Sequence, residues 1–148
     1  MDLDYHFFRL PSPLWRAAVD LRIKVFVGEQ KVPLEMEIDE YDRTALHLLA
    51  RDENQAAVGT LRIVIKGGEG KIGRVAVAAA YRHRGIGTEM MRLAVEHCRA
   101  QDLAAVVLDA QAYIVPFYQS LGFLPEGETF MDAGIPHVRM RLALRAYL

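Results

Sequence analysis

Apolar and polar positions change period several times along the chain, and the changes delimit its elements. Leu14, Ala17, Ala18, Leu21 and Val25 recur at helical spacing behind Ser12-Pro13, a side-chain cap followed by proline at the first helical position. This predicts a first helix. From Glu29 to Thr44 the period fades and Glu29, Glu35, Glu37, Asp39, Glu40 and Asp42 gather around Pro33, which reads as a loop with one short helix. An apolar run from Leu46 to Ala50 leads into the polar turn Asp52-Glu53-Asn54-Gln55. In Ala57 to Lys66, Leu61, Ile63 and Ile65 then alternate with Arg62 and Lys66. These segments predict two antiparallel strands. Gly67-Gly68-Glu69-Gly70 supplies the positive φ values of a tight turn, and a third strand follows over Lys71 to Val77.

In the second half, Gly85-Ile86-Gly87 opens a segment whose Met90, Met91, Ala94, Val95 and Cys98 form one stripe while Glu89, Arg92, Glu96 and Arg99 face away, the pattern of an amphipathic helix. Leu103 to Leu108 is a continuous apolar run suited to a buried strand. Val115 to Leu121, with Pro116 in the first turn and Gly122 past the end, predicts a short helix. Phe123 to Met131, the turn at Asp132-Ala133-Gly134, and Val138, Met140, Leu142 and Leu144 alternating with Arg139, Arg141 and Arg145 predict a closing hairpin.

At 148 residues, 52% hydrophobic and 25% charged, the chain is expected to be a single domain over 1–148 with a packed core. Eighteen Lys and Arg against 19 Asp and Glu leave a net charge of −1, so no broad field draws in nucleic acid or an anionic membrane. The longest apolar run, Val75 to Tyr81, falls far short of the roughly 20 residues of a membrane span. Met1-Asp2-Leu3-Asp4 lacks the features of a secretory signal. Cys98 is the only cysteine, which excludes an internal disulfide and a multi-cysteine metal site. A cytoplasmic protein that needs no metal is the expectation.

The strongest chemical feature is Arg82-His83-Arg84-Gly85-Ile86-Gly87-Thr88, between a predicted strand and a predicted helix. The first amides of a helix have no internal partners and sit at the positive end of its dipole, so they can hold a pyrophosphate. The plainer alternative is a tight turn made by two glycines. A dinucleotide fingerprint would need glycine or alanine where Met90 stands, and the Gly-Lys-Ser/Thr ending of a P-loop is absent.

Arg82-x-x-Gly85-x-Gly87, after the strand Gly73-Arg74-Val75-Ala76-Val77, resembles motif A of the GNAT acetyltransferases, (Gln/Arg)-x-x-Gly-x-(Gly/Ala). Downstream, Phe117-Tyr118-Gln119-Ser120-Leu121-Gly122-Phe123 is similar to that family's Tyr-x-x-x-Gly-Phe signature. Val25-Phe26-Val27-Gly28-Glu29-Gln30, then Pro33, Glu37 and Asp39, and Gly134-Ile135-Pro136-His137 resemble its ElaA-like branch, so the similarity spans nearly the whole chain.

The resemblance implies an α/β (α+β) fold: a mixed, mostly antiparallel sheet flanked by helices on both faces, its middle strands splayed to admit a coenzyme. It implies that backbone groups of Val75, Ala76 and Val77 pair with the pantetheine arm of acetyl-CoA. Amides of Arg82, His83, Arg84, Gly85, Ile86, Gly87 and Thr88 would hold the pyrophosphate, with Arg82 and Arg84 either adding charge or standing solvated. Where many members carry Asn, this sequence has Gln111, which keeps an amide for a coenzyme contact. Tyr118 matches the family's general acid, and a phenol with a pKa of about 10 is protonated at neutral pH and can donate to a leaving thiolate. Without the family it reads as a core aromatic.

For the proton of the attacking amine, Glu29, Glu37, Asp39, His47, His137 and an ordered water all stay open, with Glu37 and His137 matching the ElaA-like pattern. The acidic stretch Glu35 to Asp42 reads as a solvated face or as an attractor of a cationic amine. The expected partners are acetyl-CoA, as co-substrate, and an amine-bearing acceptor, with no nucleic acid and no membrane; a homodimer is left open. The rival readings are a non-catalytic acyl-coenzyme A binding or sensing module and a purely structural protein.

Overall fold

The structure, a computed structural model, describes residues 2–145 apart from the side chain of Met36. Seven strands are present among these residues: β1 (Asp4–Phe8), β2 (Leu46–Arg51), β3 (Ala57–Lys66), β4 (Glu69–Val77), β5 (Ala105–Gln111), β6 (Leu124–Asp132) and β7 (Ile135–Ala143). They form one sheet in the order β1-β2-β3-β4-β5-β7-β6. Every neighbouring pair is antiparallel except β4 and β5, which run parallel. A parallel pair needs a long crossover, and the helix α3 (Ile86–Ala100) supplies it.

The helices lie on both faces. Met90, Met91, Ala94 and Cys98 of α3 are buried against Leu48, Leu61, Ile63, Ile72, Val106 and Leu108. Alternate residues of a strand point to opposite faces, so Leu49, next to Leu48, packs instead with Phe8 and Ala18 beneath α1 (Trp15–Arg22). The chain continues from α1 as a π-helical segment, Ile23–Glu29, then forms the short α2 (Leu34–Glu37) and a 3-10 turn, Glu40–Arg43. Another short helix, α4 (Val115–Ser120), packs on β5 and β6. No helix among the described residues is long and apolar enough to cross a membrane.

Two local expectations differ from what is found. A strand precedes the helix with which the expected order began: β1 is a five-residue edge strand whose only buried residue is Phe8, and its ladder with β2 rather than a two-residue pattern defines it. Ser12-Pro13 makes a turn before α1, with Leu14 N–H donating to Ser12 Oγ at 3.1 Å, and the helix proper begins at Trp15.

The feature that positions the site is the division of the sheet. β4 and β5 pair only from Glu69 with Ala105 to Ile72 with Leu108, after which β5 stays with β7 as far as Gln111 opposite His137. β4 meanwhile carries a bulge: Thr60 faces Ala76 but Arg62 faces Gly73, and Arg74 takes φ +52. Bulges bend the strand that holds the extra residue. The middle of the sheet therefore forks, as the resemblance implied.

Candidate active site

Below the fork lies a cavity of about 790 Å³, lined by Gly73, Arg74 and Val75 of β4, Asp109 to Gln111 of β5, and Tyr118 of α4. Its other walls include Glu37 and Asp39 from the acidic loop and His137 from β7. Over residues 73–77 the β4 edge that faces β5 has no strand partner, which leaves backbone donors and acceptors for a ligand.

Past Val77 the chain turns into α3. Gly85 precedes the helix in the left-handed conformation at φ +83, a geometry open to glycine, and no side chain caps the helix. The amides of Ile86, Gly87 and Thr88 are thus uncommitted within the helix. Ile86 is buried and anchors the turn, whereas His83, Arg84, Gly85 and Thr88 are exposed. A Cβ on Gly87 would stand 3.6 Å from Cζ of Phe117 and 4.0 Å from Cγ2 of Val77. The loop, the end of β4 and α4 therefore meet. Arg82 is already engaged, donating to Val77 O at 3.0 Å and pairing with Glu29 at 2.8 Å. Arg84 lies over the Tyr81 ring at 5.5 Å. None of residues 82–88 lines the cavity itself.

Tyr118 is 6% exposed and packs edge-on against Phe117 and Phe123, so it is a core aromatic that also borders the cavity. Burial, followed by the nearby Tyr113, pushes its phenol up to about 12. The hydroxyl accordingly keeps its proton at neutral pH and is a donor. Gln111 Nε2 donates to Gln30 Oε1 at 2.7 Å, linking the end of β5 to the segment after α1.

The acidic loop departs most from expectation. Glu35 and Glu40 are solvated, but Glu37 and Asp42 are 1% and 2% exposed, so the reading of the whole stretch as a solvated face fails. Arg22, 1% exposed, donates to Glu37 Oε1 at 2.7 Å and to both oxygens of Asp42 at 2.8 and 3.1 Å. Arg62 grips Asp39 at 2.6 and 2.9 Å and Asp42 at 2.9 Å. Buried charges persist where they are paired and hydrogen-bonded. Glu37 Oε2 is the exception: among the described residues it is the buried side-chain oxygen that has no hydrogen-bond partner.

The remaining proton takers separate clearly. His47 is buried between Phe8 and Trp15, donates from Nε2 to Asp42 O at 3.0 Å, and does not line the cavity. Glu29 serves Arg82 and Asp39 serves Arg62. His137 lines the cavity, and its Nδ1 lies 2.7 Å from the carbonyl of Ile135. A carbonyl only accepts, so Nδ1 carries the proton and Nε2 of the neutral ring is the free acceptor. Arg22, Arg62 and Arg74 were not foreseen as site residues. For Arg22 a signal existed, since it falls on the inward stripe of Ala18, Leu21 and Val25. Among the described residues no group of three or more His, Cys, Asp or Glu could hold a metal ion.

This network implies a two-stage acid sensitivity. Burial, against the pull of the Asp42 carbonyl, holds the His47 ring below its ordinary value, and burial with Arg9 does the same to His97. For Asp42, burial pushes upward but Arg22 and Arg62 prevail, and for Asp39 Arg62 and Arg74 prevail in the same way, so both carboxyls are lowered. In each case the unfolded chain takes up a proton at a higher pH than the folded one, so stability falls as pH falls. The melting temperature is expected to decline first below about pH 6.5, from the histidines, and again below about pH 4, from the carboxyls. A melting curve flat from pH 7 to pH 5 would contradict the histidine stage.

The arrangement agrees with what the chain is similar to. Residues 16–144 match the acetyltransferase (GNAT) domain family. The chain is 38% identical over 122 residues to the uncharacterized N-acetyltransferase YjcF of Bacillus subtilis, covering 81% of this chain and 86% of that one. It is 36% identical over 143 residues to the protein ElaA of Escherichia coli, covering 93% and 92%. The crystal structure of Escherichia coli ElaA aligns with a TM-score of 0.84 at 33% identity, over 95% of this chain and 99% of that one. An acyl-CoA N-acyltransferase from Pseudomonas aeruginosa aligns with a TM-score of 0.86 at 31% identity, over 95% and 99%. With its forked sheet, glycine-led helix and buried tyrosine, the chain belongs to the ElaA-like branch of the GNAT acetyltransferase family, whose reaction class is acyl transfer.

Proposed function

We propose that the chain, as one domain over residues 1–148, transfers the acetyl group of acetyl-CoA to the amine of an acceptor by direct attack in a ternary complex. The observation that carries this reading is the convergence of the unpaired β4 edge, the uncapped start of α3 and the protonated Tyr118 around one fork. The amides of residues 82–88 hold the diphosphate, those of Val75 to Val77 bind the pantetheine arm, and Gln111 borders the site. In the transfer step the amine nitrogen forms a bond to the thioester carbon while backbone donors polarise the carbonyl. The C–S bond then breaks and the departing sulfur takes a hydrogen bond or proton from Tyr118.

The amine proton leaves toward the other wall, where Glu37 Oε2 and His137 Nε2 are the two acceptors. Glu37→Gln and His137→Gln distinguish them. The variant that removes the acceptor is expected to lose about a hundredfold in kcat together with the low-pH limb of the pH-rate profile; if neither variant does so, the proton passes through water.

The test of the reading itself is an assay of coenzyme A release from acetyl-CoA and longer acyl-CoAs against a panel of amines, with detection of the acylated product. Preference for acetyl-CoA with an acetylated amine supports it. Tight binding without release would favour the non-catalytic acyl-CoA module. Replacing Gly87 with leucine, whose side chain would extend from a Cβ already 3.6 Å from Phe117, is expected to weaken acetyl-CoA binding at least about tenfold by calorimetric titration. Unchanged affinity would remove the phosphate cradle.

A further inference from the structure

Arg74 is anomalous within its strand. It adopts φ +52, a left-handed backbone that side chains other than glycine rarely take, and it lies in the bulge where three steps of β4 span two of β3. The bulge begins just past Ile72, the last residue paired with β5. Its guanidinium reaches across to the acidic loop: Nε donates to Glu37 O at 3.0 Å and Nη2 to Asp39 Oδ2 at 3.2 Å. Both acceptors are themselves fixed. Glu37 is held by Arg22 at 2.7 Å, and the same Asp39 oxygen takes a second hydrogen bond from Arg62 at 2.9 Å. A strained backbone conformation persists only where its surroundings over-determine it, and here part of that determination comes through the side chain.

We infer that Arg74 is a positioning residue: clamped on the Glu37–Asp39 loop, it holds the β4 bulge in the shape that presents the backbone of residues 73–77 to the coenzyme arm, and it thereby couples the acidic loop to coenzyme binding. The inference rests on the proposed reading that the arm lies along β4. Glu37 and Asp39 of the loop and Gly73 to Val75 of β4 line the same cavity, and Arg74 is a polar bridge between the two segments. A coenzyme that orders the β4 edge therefore also orders the loop on the acceptor side, through the hydrogen bonds of Arg74 to Glu37 O and Asp39 and its ion pair with Glu37 Oε1 at 3.6 Å.

Hydrogen exchange on the full chain, with and without saturating coenzyme A, tests this with Arg74→Ala, Arg74→Asn and Arg74→Lys. Asparagine tolerates the left-handed backbone but cannot reach as far, so it separates the backbone's needs from the clamp. Without coenzyme, the Ala and Asn variants are expected to exchange about tenfold faster than wild type over both 73–77 and 37–43, with α3 unchanged, while Lys stays within about threefold. Coenzyme A is expected to protect both segments in wild type. In the Ala and Asn variants it binds about tenfold more weakly and no longer protects 37–43. Should Ala fail to fold, Asn and Lys carry the comparison. An Asn variant that matches wild type in exchange and in affinity would overturn the inference. A wild-type chain that shows no protection by coenzyme A anywhere sinks the coenzyme reading instead, and the exchange rates without coenzyme then decide the clamp.

Discussion

Replacing Tyr118 with phenylalanine is expected to lower turnover by about a hundredfold while changing the affinity for acetyl-CoA by no more than about twofold. The asymmetry follows from where the residue sits. Its ring is buried and packed between Phe117 and Phe123, contacts that phenylalanine keeps, so the fold and the shape of the cavity survive the change. What disappears is a hydroxyl whose phenol burial pushes up to about 12, and which therefore acts as a donor across the working range of pH. A donor of this kind matters most when negative charge gathers on the departing sulfur, a condition of the transition state rather than of the bound ground state. Steady-state kinetics paired with calorimetric titration read the two effects separately. Equal activity in the variant would remove Tyr118 from the chemistry, and a matched loss of affinity would make it a binding residue.

Arg22→Met is expected to give the largest loss of stability of any single change in the acidic loop's surroundings, about 3–5 kcal/mol. Arg22 is almost wholly buried and donates to Glu37 Oε1, to Glu37 O and to both oxygens of Asp42. Methionine restores much of the volume but leaves a carboxylate pair in the interior without its main counter-charge, and removing one partner of such a set costs more than the set contributes when whole. Against a total of about 5–15 kcal/mol for an ordinary domain, that is a large share. The melting temperature is expected to drop by about 10 °C or more in a calorimetric scan. A shift of only one or two degrees would mean that the loop is held by something other than this network. The consequence reaches function, because Glu37 and Asp39 form one wall of the cavity.

The contrast between these two residues shows what a single sequence can disclose. The glycine-led start of α3 and the short helix that carries Tyr118 were legible because their signals are local: Gly85, left-handed in the structure, before an amphipathic stripe, and Pro116 in the first turn of a helix ended by Gly122, which follows α4 at φ +98. The strand Ala57–Lys66 and the buried face of α3 were legible for a similar reason, since one-sided burial imprints a period on neighbouring residues. The buried charges were not, because Glu37 meets Arg22 across 15 residues and Arg74 across 37, and no short-range pattern separates a paired acid from a solvated one. The π-helical segment Ile23–Glu29 and the edge strand β1 escaped as well. The former changes the period in mid-course, and the latter buries too little to show one.

The most direct test of the central claim is a crystal structure of the chain grown at saturating acetyl-CoA. The account predicts the diphosphate on the amides of residues 82–88, the pantetheine arm along the open edge of β4, and the thioester sulfur within hydrogen-bond reach of the Tyr118 hydroxyl. A coenzyme ordered elsewhere on the protein, or none at all at saturation, would contradict it.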